Sequence, residues 1–329
     1  MNLSFLLFSG TMIMGTTLAI SSSSWIMMWI GLEMNLMSFI PLMKGNNTPH
    51  ESEASMKYFL TQAMASSILM MAILLTEATS TNSWLSYGML VSALLMKMGA
   101  APFHLWMPSV MEGLKWSMCL TLMTWQKIAP MIMMSYQIKN NMMTNAVVVA
   151  SVSVGAIGGL AQTSIRKMFA YSSISHVGWM IMAMMMSSNY WTTYFLLYVS
   201  MNMAATVIFS KSETMYLEQV FNMKTKSKMK MMMFISMLSL GGMPPFMGFV
   251  PKWIIIQNMI MFQSYLLILI MVMTTLITLY MYMRMMYSSL TFSSQSTSWQ
   301  NQQDNSVVTY LSMGITLLGI PLITCLNLT

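Results

Sequence analysis

LSLGGMPPFMGFVPKWIII, residues 238–256, lies inside one of the most apolar parts of the chain. A bilayer-crossing helix normally avoids backbone breakers and charge, yet this stretch holds Gly241, Gly242, Pro244, Pro245, Pro251 and Lys252. As one continuous helix at 1.5 Å per residue, the apolar segment 229–262 would run about 51 Å. The hydrocarbon core of a bilayer is only about 30 Å thick. The segment therefore reads as helix, break, helix. Unwound backbone at membrane depth is tolerated only inside protein or along a wet cavity. The break thus exposes backbone dipoles beside Lys252, where water or protons can reach.

The rest of the chain has the same character. Of its 329 residues 56% are hydrophobic and 7% charged, whereas soluble domains carry about 25% charged residues. Continuous apolar runs exclude a β-barrel, whose strands alternate. The fold class expected is an all-α polytopic membrane protein forming one transmembrane domain over 1–329. About eleven spans are expected, near 3–22, 25–43, 57–76, 84–101, 117–138, 144–163, 168–187, 191–210, 229–262, 265–287 and 307–326. The first lacks a basic leader and a small-residue cleavage site and reads as a retained span. Cys119 and Cys325 stand too far apart for an iron–sulfur or zinc pattern.

Basic residues sort by side. Lys44, Lys57, Lys115, Arg166, Lys167, Lys211, Lys224, Lys226, Lys228, Lys230 and Arg284 flank one set of loops, and only Lys139 the other. That bias predicts the N-terminus inside and the C-terminus outside. The run KTKSKMK, 224–230, reads as a topology signal among anionic head groups.

Four charges fall within apolar segments: Glu33, Lys97, Lys127 and Lys252. Each costs roughly 2.5–3.5 kcal/mol at a helix centre, a burden seldom carried for packing. Glu33 and Lys97 are expected to pair, and Lys127, near the middle of 117–138, to carry the proton. His176, in AYSSISHVGWM, reads either as a packing histidine or as a relay member. Glu112 and Lys115 read as a surface pair, and Ser151, Gly155 and Gly159 as a close-packing stripe.

The break has a second copy. Gly99, Pro102, Phe103 and Pro108 repeat the G-x-x-P-F-x-x-x-x-P pattern of Gly242, Pro245, Phe246 and Pro251. Interrupted segments at matching positions mark inverted-repeat transporters, which predicts repeats over 3–138 and 144–287 and an added C-terminal helix over 307–326. No nucleotide-binding glycine motif or haem-binding cluster is evident.

KMGAAPFHLWMPSV (97–110), TWQKIAPMIMM (124–134), RKMFAYSSISHVGWM (166–180) and LSLGGMPPFMGFVPKW (238–253) together resemble the subunit 2 family of mitochondrial NADH dehydrogenase, respiratory complex I. Fifty methionines fit an invertebrate-type, insect-like mitochondrial code. The resemblance implies a core membrane-arm subunit of a proton-pumping NADH:ubiquinone oxidoreductase, with Glu33, Lys97, Lys127 and Lys252 matching family positions. It implies no cofactor in this chain, with FMN, iron–sulfur clusters, NADH and ubiquinone in other subunits. Its partners would be membrane-arm subunits and inner-membrane phospholipids, cardiolipin among them, and no nucleic acid. A stand-alone cation/proton antiporter is the competing class.

Overall fold

An apolar chain can satisfy its backbone N–H and C=O groups in a membrane by coiling on itself, and the regular elements here are helices. The computed structural model describes residues 3–45, 48–79, 84–138, 140–222, 227–291, 312–314 and 316–317. The expected span 307–326 lies largely outside the described residues. The chain divides into two compact units, 1–147 and 148–329.

The first unit contains α1 (Leu3–Ser21), α2 (Trp25–Met43), α3 (Pro49–Thr79), α4 (Trp84–Met98), α5 (Trp106–Gly113), α6 (Trp116–Met123), α7 (Trp125–Gln137) and the start of α8 (Met142–Leu160). The Ser24 side chain caps α2 by accepting from the Met27 N–H. α2 packs between α1 and α3, and α4 lies against α3 and α7. Methionine supplies much of the core around α7, with Met123, Met131, Met133 and Met134 all buried.

The second unit holds the rest of α8, then α9 (Ile165–Met186), α10 (Ser188–Ser212), α11 (Leu217–Asn222), α12 (Ser227–Gly241), α13 (Phe249–Met261) and α14 (Tyr265–Thr291). α9 is buried along most of its length. The small-residue stripe on α8 does what its spacing predicts. A Cβ on Gly155 would meet the Ser175 backbone N at 2.7 Å, so α8 and α9 approach closely there.

Six described helices are long and apolar enough to cross a bilayer: Leu3–Ser21, Trp25–Met43, Pro49–Ala78, Met142–Leu160, Ser188–Ser212 and Tyr265–Met285. Their outward faces expose Leu6, Met14, Leu266, Leu269 and Met273, where a soluble protein places polar groups.

Helix boundaries correct two sequence expectations. The segment 117–138 is not one helix: α6 ends at Met123, Thr124 takes φ −112° and ψ −71°, and α7 begins at Trp125. The Thr124 hydroxyl bonds back to the Leu120 carbonyl at 2.7 Å, an arrangement that bends helices. The second break spans 242–248, and Pro251 lies inside α13 rather than in the break. Proline is tolerated in a first turn, where its missing N–H has no intrahelical partner to lose.

Candidate proton-carrying site

The two interrupted segments are built alike. Gly99 and Gly242 follow α4 and α12 with φ +72° and +82°, a conformation that favours glycine. After α4, Gly99 N–H donates to the Met96 carbonyl and Ala100 N–H to that of Leu95. After α12, Gly242 N–H donates to the Ser239 carbonyl and Met243 N–H to that of Leu238. Both are Schellman caps. The next helices start in the same register, with Pro108 and Pro251 each in third position.

Lys252 lies in the first turn of α13 and is buried, with 7% exposure. Its Nζ donates to the Gly241 carbonyl at 2.8 Å. That oxygen is among the last carbonyls of α12, which lack intrahelical partners. A Cβ on Gly242 would stand 2.9 Å from the same amine, and one on Gly248 would run into the Ser239 carbonyl. Glycine at both positions lets the lysine and the returning chain close on the helix end.

Lys127 is 2% exposed and sits in the first turn of α7, just past the Thr124 bend. Pro130 follows within α7 and has no N–H for the Gln126 carbonyl, so the backbone ladder is open one residue before Lys127. Lys97, 7% exposed, is in the last turn of α4, immediately before the Gly99 cap.

The expected Glu33–Lys97 ion pair does not form. Ion pairs among the described residues include Lys57–Glu53 at 2.6 Å and Lys115–Glu51 at 3.7 Å, and neither involves Glu33 or Lys97. Lys115 thus reaches α3 rather than serving only as a local partner of Glu112. Helix geometry explains the missing contact. At about 100° per residue, Leu32, Asn35 and Leu36 share the face of α2 turned to a small cavity beside Lys97. Glu33 lies at the edge of that face and lines an apolar groove of about 370 Å³ with Leu7, Thr11, Trp29 and Met37 instead.

Amides rather than the acid line the cavity beside Lys97. Asn35 Nδ2 donates to Gln126 Oε1 at 2.9 Å, and Gln126 Nε2 returns a bond to Asn35 Oδ1 at 3.0 Å. The Tyr58 hydroxyl donates to the same Gln126 oxygen at 3.4 Å. Asn35, Gln126 and Tyr58 were not singled out in the sequence, although Gln126 adjoins Lys127 and Tyr58 and Gln62 share an i,i+4 face of α3.

In the second unit, His176 is 3% exposed and its Nδ1 lies 2.8 Å from the Tyr194 hydroxyl, while its ring is tilted by 48° against that of Tyr198, with centroids 5.1 Å apart. Both tyrosines come from α10 and went unnoticed in the sequence. Lys230 also departs from its expected place at a loop. It is buried, with 3% exposure, because α12 already begins at Ser227 and its helical spacing aligns it with buried Met233 and Met237. Among the described residues no group of three His, Cys, Asp or Glu lies together as a metal site would require.

A family model described as NADH:quinone oxidoreductase/Mrp antiporter, TM, matches residues 22–278. NADH-ubiquinone oxidoreductase chain 2 of Anopheles gambiae is 46% identical over 295 residues, covering 88% of this chain and 86% of the relative. The chain of the same name from Locusta migratoria is 42% identical over 327 residues, 98% of this chain and 93% of the relative. The chain belongs to the NADH-ubiquinone oxidoreductase chain 2 family. Its fold also matches a chain in respiratory complex I from Thermus thermophilus with bound aureothin, with TM-score 0.84 and 24% identity over 97% of this chain and 78% of that one. A chain in the Mrp complex from Dietzia sp. shares the fold at TM-score 0.78 and 15% identity, over 97% of this chain and 75% of that one. The family therefore covers the lysine-bearing breaks at Gly99, Thr124 and Gly242 within its matched region.

Proposed function

We propose that the chain is a core membrane subunit of a proton-pumping NADH:ubiquinone oxidoreductase of the mitochondrial inner membrane. Protons move through Glu33, Lys97, Lys127, Lys252 and His176, coupled to electron transfer in other subunits. One observation carries this reading. Each of Lys97, Lys127 and Lys252 is buried and lies in the helical turn bordering an interruption. A packing lysine has no need of such a place. A proton carrier does, because interrupted backbone in a membrane gives polar partners to an amine that must gain and lose charge.

The names of the insect relatives favour the oxidoreductase subunit over a stand-alone antiporter. The remaining features follow from the same reading. About eleven crossings in two inverted repeats, with the N-terminus in the matrix, are supported by the matching caps at Gly99 and Gly242 and by the loop-charge bias. The partners are the other membrane-arm subunits and the surrounding phospholipids, cardiolipin included. FMN, iron–sulfur clusters, NADH and ubiquinone belong to other subunits.

The test is Lys127→Met in the assembled complex within sealed vesicles. NADH oxidation by an artificial acceptor should persist, while coupled quinone reduction and proton output fall by about tenfold or more. Wild-type values for both would make Lys127 structural and remove the main support for a relay.

A further inference from the structure

The cavity beside Lys97 is small, about 10 Å³, and every residue around it is buried. That is room for the centre of one water molecule. Its polar lining is Asn35, Tyr58, Gln62, Lys97 and Gln126, drawn from α2, α3, α4 and α7. Asn35 and Gln126 are bound to each other, and Tyr58 to Gln126. Gln62 is different: its Nε2 is buried and has no hydrogen-bond partner in the protein. A buried amide N–H left unmade costs about 1–3 kcal/mol, and a residue that needed only to fill space would be apolar.

We propose that this cavity is a binding site for a single water, held between Gln62 and Lys97, and that Gln62 is a positioning residue for proton transfer at Lys97. The inference rests on the relay reading above and adds a residue to it. A charged Lys97 has only donors and needs the water's oxygen, and an uncharged Lys97 offers a lone pair and needs the water's hydrogen. The water must therefore reverse its orientation each time Lys97 changes charge. An amide suits both orientations, because its carbonyl accepts from the water in the first and its N–H donates in the second. A carboxylate at the same place would hold Lys97 as a cation, and a hydrocarbon would leave the cavity dry. The Asn35 and Gln126 amides already bond to each other, whereas the Gln62 N–H has no partner in the protein.

Gln62→Met and Gln62→Asn separate this role from packing. Met nearly matches the volume of Gln but cannot hydrogen-bond as an amide does. Asn is shorter but keeps both functions. A packing role requires Met to behave at least as well as Asn. A positioning role requires the opposite: Met should lower coupled turnover and proton output about tenfold, and Asn should stay within about threefold of wild type. Both variants would be measured in the assembled complex in sealed vesicles, with artificial-acceptor oxidation of NADH reporting assembly and Lys97→Met as a control. If Gln62→Met matches wild type while Lys97→Met is impaired, the water site is wrong and the relay stands. If both match wild type, the relay reading fails as well. Should Gln62→Met not assemble, an experimental map of the wild-type complex at a resolution showing waters decides: density within about 3.5 Å of Gln62 Nε2 supports the site, and its absence overturns it.

Discussion

The Lys252 amine of α13 is hydrogen-bonded at 2.8 Å to the carbonyl of Gly241, the last residue of α12. The bond spans the whole break, so the two half-helices are tied by the side chain proposed to carry charge. A charged donor makes such a bond roughly twice as strong as a neutral one. Loading and unloading Lys252, as proposed, would therefore tighten and loosen the junction.

Lys252→Arg should keep the tie and lose the traffic. A guanidinium donates well to a carbonyl but stays charged at any working pH. Assembly should remain near wild type while protons per electron fall, with coupled turnover down about tenfold or more. Full proton output from the arginine variant in sealed vesicles would mean that Lys252 serves as a fixed charge.

Gly248→Ala should be among the most damaging single-carbon changes in the chain. The added Cβ meets the Ser239 carbonyl, a backbone atom that has no rotamer to escape into. The expected loss is about 3 kcal/mol or more, seen as a lower thermal inactivation midpoint of the purified complex. Gly88→Ala, in α4 with open space around it, should instead be neutral or stabilise by up to about 1 kcal/mol. Equal behaviour of the two variants would contradict the packing at the break.

Asn35 and Gln126 should show a strong interaction energy. Gln126→Leu alone leaves the buried Asn35 amide unpaired, at about 1–3 kcal/mol, and Asn35→Leu leaves Gln126 with only the 3.4 Å bond from Tyr58. The double variant removes both amides and should recover at least half of the summed loss. A thermal-stability cycle over the four proteins measures this; simple additivity would show that the reciprocal bonds contribute nothing.

Tyr194→Phe removes the hydroxyl partner of His176 Nδ1 and should cost about 1 kcal/mol of stability. If His176 belongs to the relay, His176→Phe lowers protons per electron beyond the change seen in Tyr194→Phe. Matching losses in stability with unchanged stoichiometry would assign the pair to packing.

The membrane class, the second break and the burial of all three interior lysines were legible because each is a local signal: run length, Gly/Pro placement, charge in an apolar stretch. The Thr124 bend was not, since a threonine bonding back to Leu120 looks in sequence like any polar residue in a span. The lack of a Glu33–Lys97 contact was hidden for a different reason. Sequence pairs opposite charges, but the rotation of α2 decides which side chain faces inward, and it presents Asn35 while turning Glu33 to the groove beside α1. Lys230 was read as a loop charge because KTKSKMK has no sign of where helix begins, and the buried face of α12 reaches back to include it.

The methionines around α7 have a mechanical consequence. Met123, Met131, Met133 and Met134 are unbranched, with thioethers that repack at little cost. A wall of Ile or Val would resist displacement until a void opened, at roughly 24 cal/mol per Å³ of cavity. A methionine wall would repack first, so a small shift of the segment carrying Lys127 would not need to open a void. An interior of this composition favours repacking over void formation, which is what a proton carrier inside a membrane would need to avoid becoming a leak.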